Sequence, residues 1–314
     1  MMTLNEVAEI LKNQNNIEIL THHYPDGDTL GSAFGLCLAL QNMGKNARVI
    51  LSGKMARKFD FLKNGVKEQS FTPQFVMSVD VAAKALLGEN EDAYGDKIQL
   101  CIDHHGSNSL EVENSYIDAT AAANAEIIYD LLLIMGVKIT KEIASCLYTG
   151  ISTDTGCFMY TNTTAKTHNI AGELMNTGID FGAINRAMFE TKTKEKLALE
   201  RMVYDTLDYY CDGKLAIIYT TLAMQSKLNL GDDEMEGLAS IPRQIEGVKM
   251  GITIREKKNK EFKISVRTNG DTDACAFCQI FGGGGHKGAS GCTIKGDLIT
   301  VKQTLIAQAE KVLK

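Results

Sequence analysis

The chain has 314 residues, of which 44% are hydrophobic and 23% are charged, and its formal net charge is −6. This composition is typical of a globular protein, the length allows two domains, and no apolar run reaches the roughly 18 residues of a transmembrane helix. The net charge is +4 from Lys214 onward and −10 before it. The acidic first part argues against a protein that coats a nucleic-acid duplex and suits one that concentrates carboxylates around metal ions.

The N-terminal segment MMTLNEVAEILKN is amphipathic and carries acidic residues. This pattern differs from a signal peptide and predicts a cytoplasmic location. The eight cysteines do not suggest a disulfide framework, because the chain is long and several of them stand among apolar residues. Cys275 and Cys278 have C-x-x-C spacing, but no second ligand pair accompanies them, so we predict residues of a helical core.

Short apolar runs alternate with helical patterns in the first part of the chain, which predicts a parallel sheet with covering helices. The predicted strands are 17–20, 49–51, 75–79 and 98–102. The predicted helices are 4–11, 29–43, 121–136, 141–151, 164–176 and 181–189. We assign this α/β domain to residues 1–190, and Gly31 and Gly35 in its second helix would allow close helix packing.

The pattern changes after a charged segment at 191–212, which contains no proline or glycine before Gly213 and predicts a helical connector. Strands are predicted at 215–219, 248–255 and 262–266, and an amphipathic helix at 298–313. Between them, the glycine-rich stretch at 282–291 breaks all periodicity. Residues 213–314 are therefore predicted to form a smaller C-terminal α/β domain.

Ionisable side chains follow the predicted strands at the points where those strands end. Burying such groups costs several kcal/mol unless they are paired or bind a metal, and ligands of open parallel sheets sit at the carboxyl ends of the strands. The candidates are His22, Asp26, Asp28, Asp80, Asp103, His104 and His105. Asp154, in the polar stretch after the predicted helix 141–151, can join them from another loop on the same edge. Carboxylates mixed with imidazoles, without thiolates, favour Mn²⁺. There are more ligands than one ion needs, which favours two ions that share a carboxylate.

Each motif taken alone also has an ordinary structural explanation. An Asp-Gly-Asp sequence is usually a turn, single aspartates often cap helices, and four glycines before His286 can form a flexible turn. The hypothesis of a metal centre depends on the joint occurrence of these residues at successive strand ends.

Together, HHYPDGDTLGS, Asp80, DHH and GISTDTGCF resemble the four motifs of the DHH phosphoesterase superfamily, and FGGGGHKGASG resembles the signature of the DHHA1 domain. The resemblance covers nearly the whole chain. The two-domain length of this chain is similar to that of proteins in the nanoRNase and pAp phosphatase group. It implies that His22 and Asp26 hold one Mn²⁺. It implies further that Asp28, His104 and Asp154 hold a second ion, and that Asp80 bridges the two, with Mg²⁺ or Co²⁺ as substitutes.

The resemblance also implies roles for the remaining residues. Asp103 would orient the neighbouring imidazoles, and His105 would face the substrate. In the DHHA1 part, a phosphate would be bound by His286, the backbone of Gly284 and Gly285, and Arg267. His23 has no counterpart in the family pattern, and we interpret it as a neighbour of the ligands.

The implied activity is hydrolysis of short oligonucleotides, linear dinucleotides or pAp by a hydroxide held between the two ions. A stand-alone cyclic-dinucleotide phosphodiesterase would use the same residues and remains an alternative. A single-strand exonuclease is disfavoured, because we find no long basic groove with aromatic residues. We expect no membrane partner and no stable binding to duplex nucleic acid, and a homodimer is compatible with the sequence.

Overall fold

A computed structural model describes residues 2–228, 235 and 237–313. The chain divides into two compact units, Met1–Thr191 and Lys192–Lys314. Within the described part, no helix combines the length and the apolar character needed to cross a bilayer.

The first unit contains a five-stranded parallel sheet with the strand order β2-β1-β3-β4-β5. Its strands are β1 (Ile17–Leu20), β2 (Ala47–Ile50), β3 (Phe75–Val79), β4 (Leu100–Asp103) and β5 (Asn114–Ile117). Its α-helices are α1 (Leu4–Asn13), α2 (Gly27–Asn42), α3 (Glu91–Tyr94), α4 (Asn124–Ile134), α5 (Lys141–Asp154), α6 (Ala165–Asn176) and α7 (Phe181–Asn185), which continues as a π-helical turn at Arg186–Glu190.

Alternate residues of the central strands enter two different cores. Ile17 and Ile19 of β1 are fully buried in the main hydrophobic cluster, which the helices α1, α2, α4 and α5 complete. Leu20 and Val76 belong to a smaller cluster on the opposite face, together with Leu87. Because both faces are covered, the central strands β1, β3 and β4 are buried along their whole length, as expected for a parallel sheet. The predicted α/β fold with a parallel sheet is thereby confirmed.

The second unit contains a six-stranded mixed sheet with the order β10-β11-β9-β8-β7-β6, in which β7 and β8 are parallel and the other neighbours are antiparallel. Its strands are β6 (Asp208–Tyr210), β7 (Leu215–Thr220), β8 (Met250–Lys257), β9 (Glu261–Thr268), β10 (Gly284–His286) and β11 (Ala289–Lys295). Its α-helices are α8 (Lys194–Tyr204), α9 (Leu222–Lys227), α10 (Ala274–Gln279) and α11 (Leu298–Val312).

Several details of the second unit differ from the sequence predictions. The glycine-rich stretch is ordered as the hairpin of β10 and β11, with Gly285 paired to Ser290. The segment predicted as a helical connector does contain a helix, α8, and its Leu199 and Val203 are buried against Ile218 within this unit. In the predicted C-x-x-C helix, Cys278 is buried in the core, whereas Cys275 is partly exposed.

Candidate functional site

Three neighbouring strands of the first unit end in the ionisable residues that the sequence singled out. β1, β3 and β4 lie side by side and run in parallel, so their carboxyl ends meet at one edge of the sheet. His22 follows β1 by two residues, Asp80 follows β3 directly, and His104 follows β4 directly.

A first group of side chains surrounds His22. Its Nε2 atom lies 3.6 Å from Asp26 Oδ1 and 3.6 Å from Asp80 Oδ2. Asp26 is also the N-cap of α2 and accepts hydrogen bonds from the backbone N–H groups of Asp28 and Thr29. The cap therefore fixes the carboxylate beside the imidazole, and the three ligand atoms have the spacing of a metal site.

A second group surrounds His104. Its Nε2 atom lies 3.4 Å from Asp154 Oδ2, 3.7 Å from Asp28 Oδ2 and 3.5 Å from Asp80 Oδ1. The other ring nitrogen, Nδ1, lies 3.2 Å from the carbonyl oxygen of Ala121. A backbone carbonyl at Nδ1 fixes the orientation of an imidazole, so Nε2 is the atom presented to the carboxylates.

Asp80 connects the two groups, because each of its carboxylate oxygens faces a different histidine. Oδ2 lies near His22 and Oδ1 near His104. The side chain is only 3% exposed, and Oδ1 has no hydrogen-bond partner among the described residues. Asp80 also has a left-handed φ of 58°, a conformation that costs roughly 1–3 kcal/mol in residues other than glycine. Such a strained, unsatisfied and buried carboxylate is typical of a functional position.

Asp28 is held by the beginning of another helix. Its Oδ2 accepts a hydrogen bond from the N–H of Asn124 at 2.6 Å, and its Oδ1 accepts one from the N–H of Ala125 at 2.9 Å. These are the first two residues of α4, whose unpaired N–H groups favour a negative charge. The carboxylate is therefore oriented by the backbone and needs no cationic side chain.

The close packing of α2 and α5 brings Asp28 and Asp154 to the same place. A Cβ atom at Gly31 would lie 2.4 Å from the carbonyl oxygen of Cys146, and one at Gly150 would lie 2.8 Å from Asp28 Oδ1. Only glycine at both positions allows the helices to approach this closely. The predicted role of Gly31 in helix packing agrees with this contact.

Asp103 and His105 form a separate arrangement beside the two groups. Asp103 Oδ1 lies 2.8 Å from His105 Nδ1 and accepts a hydrogen bond from the backbone N–H of His104 at 2.8 Å. Its Oδ2 accepts a hydrogen bond from Asn108 Nδ2 at 2.6 Å. Because His105 Nδ1 is directed to Asp103, it is a poor ligand for an ion near Asp80, although it lies 3.5 Å from Asp80 Oδ1.

The electrostatics of the two groups favour a cation. Burial, and then the neighbouring carboxylates, raise the pKa of Asp80 well above its usual value. The same causes, with burial again the largest, raise the pKa of Asp154 to about 9. Four carboxylates surround two imidazoles, and one oxygen of the buried Asp80 carboxylate is unsatisfied within the described part of the chain. This set fits divalent cations, whose preferred ligands are oxygen and nitrogen.

In the second unit, the register of the sheet aligns the predicted substrate residues. Arg267 pairs with Ala289, which in turn pairs with His286 across the hairpin. The Arg267 Nη1 atom donates a hydrogen bond to the carbonyl oxygen of Val266. The structure describes the backbone of His286, and its side chain lies outside the described part.

The glycines of the hairpin serve different purposes. Gly285 has a φ of 144°, and a Cβ atom there would lie 2.7 Å from the carbonyl oxygen of Ala289. Strand pairing therefore requires glycine at this position. A Cβ atom at Gly284 would have no neighbour within 4 Å, so the backbone there is open to an approaching ligand.

Comparison with protein-family models identifies both units. Residues 16–151 match the model of the DHH family, N-terminal domain, and residues 214–314 match the model of the DHHA1 domain. A curated relative is 31% identical over 92% of this chain. The chain belongs to the DHH–DHHA1 phosphoesterase family. It is accordingly a hydrolase that acts on phosphoester bonds.

Relatives of this DHH–DHHA1 protein match it over most of its length. The 31% identical relative, the bifunctional oligoribonuclease and PAP phosphatase NrnA of Thermus thermophilus, is itself covered to 88%. The probable NrnA of Streptococcus mutans is 29% identical, with 93% of both chains covered. A crystal structure of an exopolyphosphatase-related protein from Bacteroides fragilis has a TM-score of 0.89 and 25% identity, and covers 99% of this chain and 97% of that one.

Two contributors to the DHH domain site were missed by the sequence analysis. Asn108 supports Asp103, and its only sequence signal is a position three residues after His105. The backbone N–H groups at the start of α4, which hold Asp28, cannot be recognised from any side chain in the sequence. His23, which the sequence assigned as a neighbour of the ligands, lies with Nδ1 3.0 Å from the carbonyl oxygen of Leu86.

Proposed function

We propose that this chain is a phosphodiesterase and phosphatase that uses two divalent ions to hydrolyse short oligonucleotides, linear dinucleotides and pAp. The observation that carries the proposal is Asp80, whose two oxygens face His22 and His104 separately. A carboxylate placed in this way can bind one ion on each side. Two ions that share a carboxylate are a recurring arrangement in enzymes of phosphoryl transfer.

Each of the two groups of side chains would bind one ion. His22 and Asp26 would hold one ion, Asp28, His104 and Asp154 the other, and Asp80 both. The mixture of nitrogen and carboxylate ligands favours Mn²⁺, with Mg²⁺ or Co²⁺ as substitutes. When bound, such ions supply a nucleophilic water at neutral pH and neutralise charge on a phosphoryl group.

His105 would contact the substrate rather than a metal. With Nδ1 directed to Asp103, its Nε2 atom is available to a phosphoryl oxygen. The hydrogen bond to Asp103 raises the pKa of His105 above its usual value and favours the protonated ring. A protonated imidazole would stabilise the negative charge that grows on the phosphoryl oxygens. Asp103, held by Asn108, would keep this ring in position.

The second unit would bind another phosphate of the substrate. Arg267 would donate charge-assisted hydrogen bonds to it, and the exposed backbone of Gly284 and Gly285 would approach it closely. His286 would contribute from the end of β10. The part of the chain from Lys214 onward has a net charge of +4, which suits an anionic ligand.

Short substrates are favoured by two considerations. The relatives that match most of the chain are named for oligoribonuclease and PAP phosphatase activity. The part of the chain before Lys214 has a net charge of −10, which would repel the additional phosphates of a long strand. A cytoplasmic location and a homodimer stay predictions from the sequence.

The test is a comparison of substrates at one enzyme concentration in the presence of Mn²⁺. We expect hydrolysis of pApA and pAp, and slower hydrolysis of cyclic di-AMP and of a longer oligonucleotide. Preferential cleavage of cyclic di-AMP would favour the alternative of a cyclic-dinucleotide phosphodiesterase. Preferential and processive cleavage of the long strand would favour an exonuclease.

A further inference from the structure

Tyr24 is an exposed aromatic residue in the loop that carries the first ligand group. Its side chain is 72% exposed, although it stands only two residues from both His22 and Asp26. Two residues of extended chain span at most about 7 Å. A nucleobase is separated from its phosphorus by one sugar, so a base whose phosphate lies at the ligand group could reach this ring.

The ring of Tyr24 is supported from one side. Its centroid lies 3.8 Å from that of His23, with the two planes inclined by 45°. His23 is itself fixed, because its backbone N–H donates to the carbonyl oxygen of Leu86 at 2.7 Å and Nδ1 lies 3.0 Å from the same atom.

The position of the His23 side chain requires glycine at residue 88. A Cβ atom on Gly88, which has a φ of 54°, would lie 2.5 Å from the Cβ atom of His23. The fold therefore builds a rigid support for a tyrosine that remains largely in solvent. Core packing does not explain why a tyrosine stands at position 24, because most of the surface of its side chain lies in solvent.

We propose that Tyr24 is a stacking platform for the nucleobase adjacent to the phosphate at the ligand groups, and that His23 positions it. The inference rests on the proposed function, because it takes the substrate to be a nucleotide. An aromatic face stacks on every base. Such a contact adds affinity for the base without selecting its identity.

Fluorescence gives a direct test, because the chain contains no tryptophan. Tyr24→Trp introduces a single reporter, which is titrated with AMP and with ribose 5-phosphate at constant Mn²⁺. We expect a saturable change of emission with AMP and none with ribose 5-phosphate. Met43→Trp is the control, because this residue at the C-cap of α2 lies about 22 Å along the helix from Asp28.

Calorimetry on the Mn²⁺-loaded enzyme separates stacking from phosphate binding. Tyr24→Ala should weaken AMP binding by about tenfold or more and leave the affinity for ribose 5-phosphate and the metal content unchanged. Tyr24→Phe keeps the ring and should bind AMP as the wild type does. Equal losses for both ligands, or a Tyr24→Trp protein whose emission does not respond to bound AMP, would overturn the inference. Failure of the proposed function is seen separately, as a wild-type enzyme that does not hydrolyse pApA.

Discussion

The two units offer different kinds of groups to a ligand: side chains in the first and main chain in the second. In the DHH domain, side chains from several elements converge, and the carboxylates of Asp26 and Asp28 are oriented by backbone N–H donors. In the DHHA1 domain, the corresponding region is a glycine-rich hairpin, where the main chain itself is exposed at Gly284. The first arrangement can bind metal ions and carry out chemistry, and the second is suited to recognising a phosphate.

The two regions also differ in charge: the first is rich in carboxylates, and the second has none. The DHH domain places Asp28, Asp80 and Asp154 around histidines, and desolvation raises the pKa of each of these carboxyls. The hairpin at 282–291 contains no acidic residue and includes Lys287. We therefore expect substitutions in the first region to abolish hydrolysis and those in the second to weaken substrate binding.

The largest effect is expected for Asp80→Asn. This change removes a charged ligand from both groups at once, so we expect a loss of activity of roughly a thousandfold or more and reduced metal content. Substituting a ligand of one group should cost less. Asp60→Asn, at an exposed position of the same unit, is the matched control. An active Asp80→Asn protein that still binds two Mn²⁺ ions per chain would contradict the assignment.

A smaller and more selective effect is expected in the DHHA1 domain. Arg267→Ala and His286→Ala should retain full metal content and still hydrolyse bis-p-nitrophenyl phosphate. Their kcat/KM for pApA should fall by about tenfold to a hundredfold, because charge-assisted hydrogen bonds to a phosphate are lost. Lys295→Ala, at the far end of β11, controls for a general loss of positive charge. Equal losses on both substrates would place these residues at the metal centre.

His22, Asp80 and His104 could be predicted as candidate metal ligands because they follow strands that a short apolar run reveals. The backbone contributions could not. Asp28 is held by the N–H groups of Asn124 and Ala125, which are distant in sequence and carry no characteristic side chain. The left-handed conformation of Asp80 also leaves no trace in a sequence that does not use glycine there.

The errors in the second unit have physical causes too. Glycines have no side chain with which to show the two-residue period of a strand, so the hairpin of β10 and β11 looked irregular. The charged composition of α8 concealed the narrow apolar face formed by Leu199 and Val203. In the first unit, the edge strand β5 was missed because its sequence, NSYI, is half polar and only partly buried.

Asn108 offers an intermediate test of how far the DHH domain depends on support behind its site residues. Asn108→Ala removes the donor to Asp103 Oδ2 and leaves the metal groups untouched. We expect kcat to fall by about tenfold, a typical cost for a residue that orients another, with unchanged metal content. Ser107→Ala, an exposed neighbour, is the control. An unchanged kcat would show that Asp103 does not need this support.

The smallest effect concerns the length of the substrate. Single-strand binders lose affinity with salt at a slope of roughly −0.7 per phosphate contact. Only the scissile phosphate and the phosphate at Arg267 should contribute here, so kcat/KM for a 5′-phosphorylated dinucleotide should depend weakly on salt. It should fall by a few fold as nucleotides are added. Better cleavage of long strands, with an advantage that salt removes, would indicate an exonuclease that tracks along the strand.

The central claim is that two metal ions share Asp80 in the DHH domain. It is tested most directly by titrating the metal-free protein with Mn²⁺ while both bound metal and hydrolysis of pApA are measured. We predict two ions per chain, with activity that appears only as the second site fills. Full activity with one bound ion per chain would contradict the claim.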